Sequence, residues 1–202
     1  RRGGILLLYG RGLIYRKNKE VIAMIFLFLA NGFEEVEALA PLDILRRAGK
    51  EVRTVGIVGS LITRAHGITV RADTTDAELK LHDIEAVILP GGMPGASNLD
   101  ASPVVDAALA AADKAGAYLC AICAAPMVLG RRGYLEGHRA TCYPGFEGEL
   151  RGATVSDRRV VTDGHRITAA GMGVAVEFGL AITAALCGEK KAAAIRTGII
   201  GD

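Results

Sequence analysis

Tryptophan is absent from these 202 residues, and aromatic side chains make up only 5% of them. A core without many large rings is filled by aliphatic and small side chains, which suits close packing of helices on a sheet. The 50% hydrophobic content is enough for one globular domain with a sizeable core. Cysteine is scarce too: Cys120, Cys123, Cys142 and Cys187 are the four present. A chain that can build an ordinary core does not need a disulfide framework, so free thiols in a reducing cytoplasm are expected. The ten-residue apolar run Val21–Ala30 is too short to span a membrane.

Basic charge is scarcer than the formal +2 suggests. Residues 1–23 hold Arg1, Arg2, Arg11, Arg16, Lys17 and Lys19 against one acid, Glu20. That stretch is therefore +5, which leaves −3 for residues 24–202. A nucleic-acid-binding role needs a basic stripe on the folded domain, and none is present. Two phosphate-binding loops are also missing: there is no G-x-x-x-x-G-K, and no G-x-G-x-x-G follows a first strand. His66, His82, His138 and His165 show no metal-ligand spacing, so no metal site is expected.

The residues before Met24 differ in composition from the rest. Three origins compete for them: a wrongly assigned start, an expression remnant or a targeting leader. We expect 1–23 to be a basic leader, non-native or disordered, and 24–202 to be a single domain. Val21–Ala30 behind its basic stretch superficially resembles a signal peptide. It reads better as a buried parallel strand, since polar residues of chemical interest follow it directly.

Strand-like and helix-like segments alternate from there on. Residues 22–30, 51–58, 67–72, 84–89 and 117–122 read as strands. Residues 34–48, stopped by Gly49, and residues 102–115, opened by Ser102-Pro103, read as helices. Asp73–Asp76 reads as a turn, and Asp163-Gly164 as the tip of a hairpin between 158–162 and 165–169. A final helix spans 173–186, with a short one through 189–196. Repeated strand–helix units imply an α/β fold, a mostly parallel sheet with helices on both faces. Such sheets bind ligands outside the carboxyl ends of their strands.

One segment at that edge carries the chemistry. Ala117–Ile122 is an apolar strand that stops at Cys123, and Ala124-Ala125-Pro126 opens a helix. A residue on so sharp a strand-to-helix turn projects above the sheet, as in a nucleophile elbow. The helix end pointing at it favours thiolate. Cys120-x-x-Cys123 also matches a redox pair, but Cys120 lies inside the strand and should be buried. Gly91-Gly92, after the strand 84–89, lets backbone N–H groups approach an anion, and with the N–H following the nucleophile forms an oxyanion hole. Gly171-Met172-Gly173 reads as close packing. Glu34 and Glu35 read as ordinary acids of a helix's first turn. Glu37, set among Val36, Ala38 and Leu39, faces inward; buried beside a thiolate it would stay protonated and move protons.

These residues resemble a family. Gly32–Glu37, Pro41-Leu42-Asp43, Arg46–Gly49, Leu89–Ala96, Ala121–Pro126, Thr168–Gly171 and Glu177–Ala181 are similar to the ThiJ/PfpI superfamily, and most of all to its DJ-1 branch. The likeness covers about residues 22–198. It implies a flavodoxin-like three-layer sandwich that forms homodimers. It also implies Cys123 as nucleophile, Glu37 as its protonated partner, and Gly92 and Ala124 as the oxyanion-binding amides. The expected activity is cofactor-free conversion of small 2-oxoaldehydes, glyoxalase III-like (methylglyoxal to lactate) or deglycase. The alternative is a redox-sensing or chaperone-like stress protein whose cysteine is oxidised rather than catalytic. Family members with a Cys–His pair often carry a histidine before a proline about twenty residues on. Tyr143 occupies that place here, which weakens a protease or amidase reading. Tyr143, Cys142 and Gly91 are accessory candidates, Cys142 as a resolving thiol.

Overall fold

The computed structural model describes residues 5–9, 12–16, 23–64 and 66–200. The expectation of a separate leader at 1–23 falls largely outside them. Within that stretch β1 (Ile5–Tyr9) and β2 (Gly12–Arg16) pair with each other as an antiparallel hairpin.

The main sheet begins with β3 (Met24–Leu29) and β4 (Glu51–Gly56). β5 (Leu61–Thr63) and β6 (Thr69–Arg71) then form a separate antiparallel ribbon. β7 (Thr74–Thr75), β8 (Ile84–Leu89) and β9 (Tyr118–Ile122) return to the sheet. β10 (Arg139–Ala140) and β11 (Thr154–Val155) make a short parallel pair, and β12 (Val160–Asp163) with β13 (Arg166–Ala169) completes the strands. The seven-stranded order is β12-β13-β9-β8-β3-β4-β7, parallel throughout except for the edge strand β12.

All six residues of β3 are buried because helices cover both faces of the sheet. Successive side chains point to opposite faces. Met24, Phe26 and Phe28 enter one core, while Ile25, Leu27 and Leu29 enter the other. Each fully buried side chain of this kind contributes about 2 kcal/mol. α1 (Glu35–Arg47) packs on the second core. α2 (Gly95–Asp100), α3 (Pro103–Lys114) and α4 (Pro126–Arg131) enclose the first. α5 (Ala175–Cys187) returns beside α1, and α6 (Glu189–Ile200) lies outside both. The result is the three-layer, flavodoxin-like α/β sandwich. α1 and α5 approach so closely that a Cβ on Gly179 would stand 2.9 Å from the Pro41 Cα.

Several boundaries follow the expected local signals. Ser102 caps α3 by accepting the Val105 N–H, with Pro103 at the first helical position. Gly49, at φ +84°, follows the last turn of α1. The strand read at 67–72 is present as β6, in the side ribbon. One expectation needs correction. Thr74-Thr75, read as turn, is the edge strand β7, paired with Val55 and Gly56. The last long helix also starts later than read, after a 3₁₀ turn at Met172–Val174.

Candidate active site

β9 ends at Ile122, and the chain turns at Cys123 with φ +65°. A non-glycine residue there costs about 1–2 kcal/mol, so the surrounding structure must hold it. The Cys123 N–H donates to the Ala169 carbonyl at 2.9 Å, continuing the ladder from β13. The Cys123 carbonyl accepts the Tyr143 N–H at 2.8 Å. The Thr141 N–H in turn donates to the buried Thr168 hydroxyl at 2.9 Å, which ties the 141–143 segment to β13. Sequence reasoning missed Thr168, whose role depends on a contact 27 residues away.

The Gly92 and Ala124 amides, the two expected to bind an oxyanion, lie beside the sulfur and favour its charged form. Gly92 adopts φ +84°, and a Cβ there would lie 2.5 Å from the Glu34 nitrogen. At Gly91 a Cβ would stand 2.6 Å from both Cys123 Cβ and Glu37 Oε2. These contacts leave no room for a side chain, so the loop's backbone packs directly on the reacting groups.

Glu37 rises from the first turn of α1 and is 1% exposed. Its Oε2 accepts the Gly91 N–H at 2.9 Å, and the nearby Cys123 thiol and Met172 amide also favour its charged form. Burial pushes its pKa up to about 7, against the opposing pull of these donors. Burial likewise pushes the Cys123 thiol up to about 12, and the negative charge and hydrogen bond of an ionised Glu37 add to the rise. The thiolate expectation is therefore corrected: the short α4 does not set the charge state alone. The charge state of Cys123 depends on that of Glu37. A proton moved onto Glu37 removes the charge that opposes the thiolate, and the Gly92 and Ala124 amides remain to receive the sulfur's charge.

Tyr143 is 51% exposed at the mouth. A Cβ on Gly171 would stand 3.3 Å from its ring and 4.0 Å from Glu37 Oε1. Gly171 and Met172, read as packing, thus form the wall over Glu37. A cavity of about 310 Å³ opens on the outer side of that wall, lined by Tyr143, Arg159 and Met172 among others. Cys142 is buried in the core beneath α2–α4, and its sulfur accepts the Phe146 N–H. Cys123 packs against the opposite core. Cys120 is fully buried, and its thiol is pushed up by that burial alone. All four cysteines are free.

None of the four histidines hydrogen-bonds Cys123 or Glu37 among the described residues. His82 lies by Asp83, His138 by Asp163, and His165 stacks edge-on with Tyr118. His66 joins Glu34 and Glu35 in a cluster that spacing did not reveal. The Arg64 guanidinium contacts both Glu35 and His66, so a cation already occupies that ground. No helix among the described residues is long and apolar enough to cross a membrane.

Residues 23–185 match the DJ-1/PfpI family. Protein dj-1beta of Drosophila melanogaster is 35% identical over 175 residues, 85% of this chain and 94% of that protein. A Pyrococcus abyssi protein named a deglycase is 32% identical over 147 residues, 71% of this chain and 87% of its own length. Among solved structures, a mutant of a DJ-1 superfamily protein from Salmonella typhimurium superposes with a TM-score of 0.82 at 36% identity. It covers 88% of this chain and 97% of that one.

Proposed function

This chain belongs to the DJ-1/PfpI family, and from that premise we propose a cysteine-dependent, cofactor-independent enzyme acting on small 2-oxoaldehydes. The reaction is R–CO–CHO + H₂O → R–CH(OH)–COOH, with methylglyoxal giving lactate. The observation that carries this reading is the buried Glu37 beside Cys123 at the elbow, with the Gly91 backbone packed against both side chains.

The chemistry follows from that arrangement. Sulfur attacks the aldehyde carbon, and the new oxyanion, met by the Gly92 and Ala124 amides, takes the Glu37 proton to give a hemithioacetal. The Glu37 carboxylate then removes the hydrogen on that carbon as a proton, leaving an enediolate. The hydroxyl proton shifts to the neighbouring oxygen, and return of the Glu37 proton to the neighbouring carbon yields an α-hydroxy thioester. Water cleaves the thioester, releases the 2-hydroxy acid and restores the thiol. A carboxyl group with a pKa of about 7 suits both directions of transfer near neutral pH. Deglycase activity, the one named in the Pyrococcus relative, would start from the same thiol attack.

The homodimer and the cytoplasmic setting belong to this proposal as well. Val36, Ile68 and Met172 are exposed apolar residues on elements around the acidic start of α1, suited to a second copy, and four free thiols suit a reducing compartment.

The test follows D- and L-lactate from methylglyoxal without glutathione, wild type beside Cys123→Ser. Lactate from the wild type alone supports the enzyme. No lactate from either, with Cys123 still oxidised readily by peroxide, overturns it in favour of a sensor.

A further inference from the structure

We propose that the chamber outside the Glu37 wall selects electrophiles that carry a carboxylate, and that Arg159 holds it. The substrate half of this proposal rests on the enzymatic reading above; its first test does not.

The chamber's volume of about 310 Å³ lies at the lower end of ligand sites, which run from about 300 to 1,000 Å³, and exceeds what a three-carbon aldehyde fills. Its wall is Tyr143, Ala170, Gly171, Met172 and Val174, with Arg159 the one charged residue lining it. No acid lines it to cancel that charge. Arg159 stands just before β12, fixed by the Ala170 N–H to its carbonyl at 2.8 Å. One guanidinium nitrogen donates to the Gly173 carbonyl at 3.1 Å, which anchors the group and leaves the rest of its donor fork unused. A planar fork of that kind matches a carboxylate in bidentate fashion. The floor of the chamber is the Gly171–Met172 turn, and a Cβ on Gly171 would stand 4.0 Å from Glu37 Oε1. Tyr143, which lines the chamber, also donates its N–H to the Cys123 carbonyl at 2.8 Å, so the chamber adjoins the nucleophile's own turn and a carboxylate carried past it falls toward Arg159.

The first test compares alkylation of Cys123 by iodoacetate and by iodoacetamide at low ionic strength, followed by mass spectrometry. The reagents differ in charge at nearly equal size, and the reaction forms a thioether and iodide whether or not the protein is an enzyme. Arg159→Gln keeps a donor for the Gly173 carbonyl but loses the charge. The iodoacetate-to-iodoacetamide rate ratio should fall about tenfold in it, and Arg159→Lys should recover most of the loss. An unchanged ratio in Arg159→Gln overturns the proposal.

The second test pairs 4,5-dioxopentanoate with the uncharged 2-oxopentanal, which have equal chain length. Wild type should favour the carboxylate about tenfold in kcat/KM, and Arg159→Gln should bring the two close to equal. A preference that survives in Arg159→Gln also overturns the assignment to Arg159. If the alkylation ratio falls but neither aldehyde yields a 2-hydroxy acid, the anion chamber stands and the enzyme reading fails.

Discussion

Glu35 and Glu37 lie two residues apart on the first turn of α1, and both are largely withdrawn from water. Glu35 faces the buried Arg64, with His66 on the same guanidinium. Among the described residues no cation faces Glu37; the Gly91 N–H bonds it, and the Cys123 thiol and Met172 amide lie beside it. The first acid is compensated by opposite charge and serves the structure. The second is compensated only by neutral donors, so burial lifts its pKa to about 7 and makes its proton mobile. What distinguishes a structural acid from a chemical one here is the partner, because residue type, helix and depth are nearly the same.

The largest break in that contrast is Cys123→Ser, which removes Glu37's reactive partner and leaves Glu35 alone. Formation of 2-hydroxy acid should fall about a thousandfold or more, with an unchanged circular dichroism spectrum. Glu37→Gln comes next, with kcat/KM down about a hundredfold. The same change has a pH signature in stability. Glu37's folded-state pKa lies above its ordinary 4.5, so the protonated group stabilises the fold fully below that pH, and this contribution is lost as pH rises through about 7. Urea unfolding at pH 5 and pH 8 should show Glu37→Gln gaining about 2.5 kcal/mol on the wild type between the two. Equal differences at both pH values would mean that Glu37 is not a buried neutral acid.

Glu35→Gln should behave in the opposite way. Leaving Arg64 buried without its countercharge costs about 3 kcal/mol of stability, while the shape of the pH–rate profile stays that of the wild type. A shifted profile would show that Glu35 belongs to the chemistry after all. The smallest effect is expected for Tyr143→Phe, within about twofold in kcat/KM. The residue's service to the site is its backbone N–H on the Cys123 carbonyl, which the substitution keeps. A tenfold loss would assign the phenol an acid–base role instead.

Much of this was legible wherever a signal is local. The apolar run of β3, the Gly49 stop, the Ser102-Pro103 cap and the Asp163-Gly164 tip each depend on neighbours within a turn or a strand. The elbow at Cys123 and the inward face of Glu37 were legible for the same reason. Contacts across the chain were not. Nothing near His66 announces Glu34 and Glu35, some thirty residues earlier. Thr74-Thr75 has turn-like composition and becomes a strand only because Val55 and Gly56 offer an edge to pair with. Met172 looked like packing because its function is carried by its amide, which every residue but proline possesses. Spacing located the elbow at Cys123; the balance of burial and charge around it needed the assembled site.

The left-handed backbone at Cys123 reaches beyond catalysis. Glycine and asparagine are the residues that occupy this conformation at ease, and cysteine has no special tolerance for it. A sequence optimised for folding alone would drift toward one of them at position 123. Designers who screen this scaffold for thermal tolerance should therefore expect the nucleophile to be among the first residues lost, and should hold that position fixed.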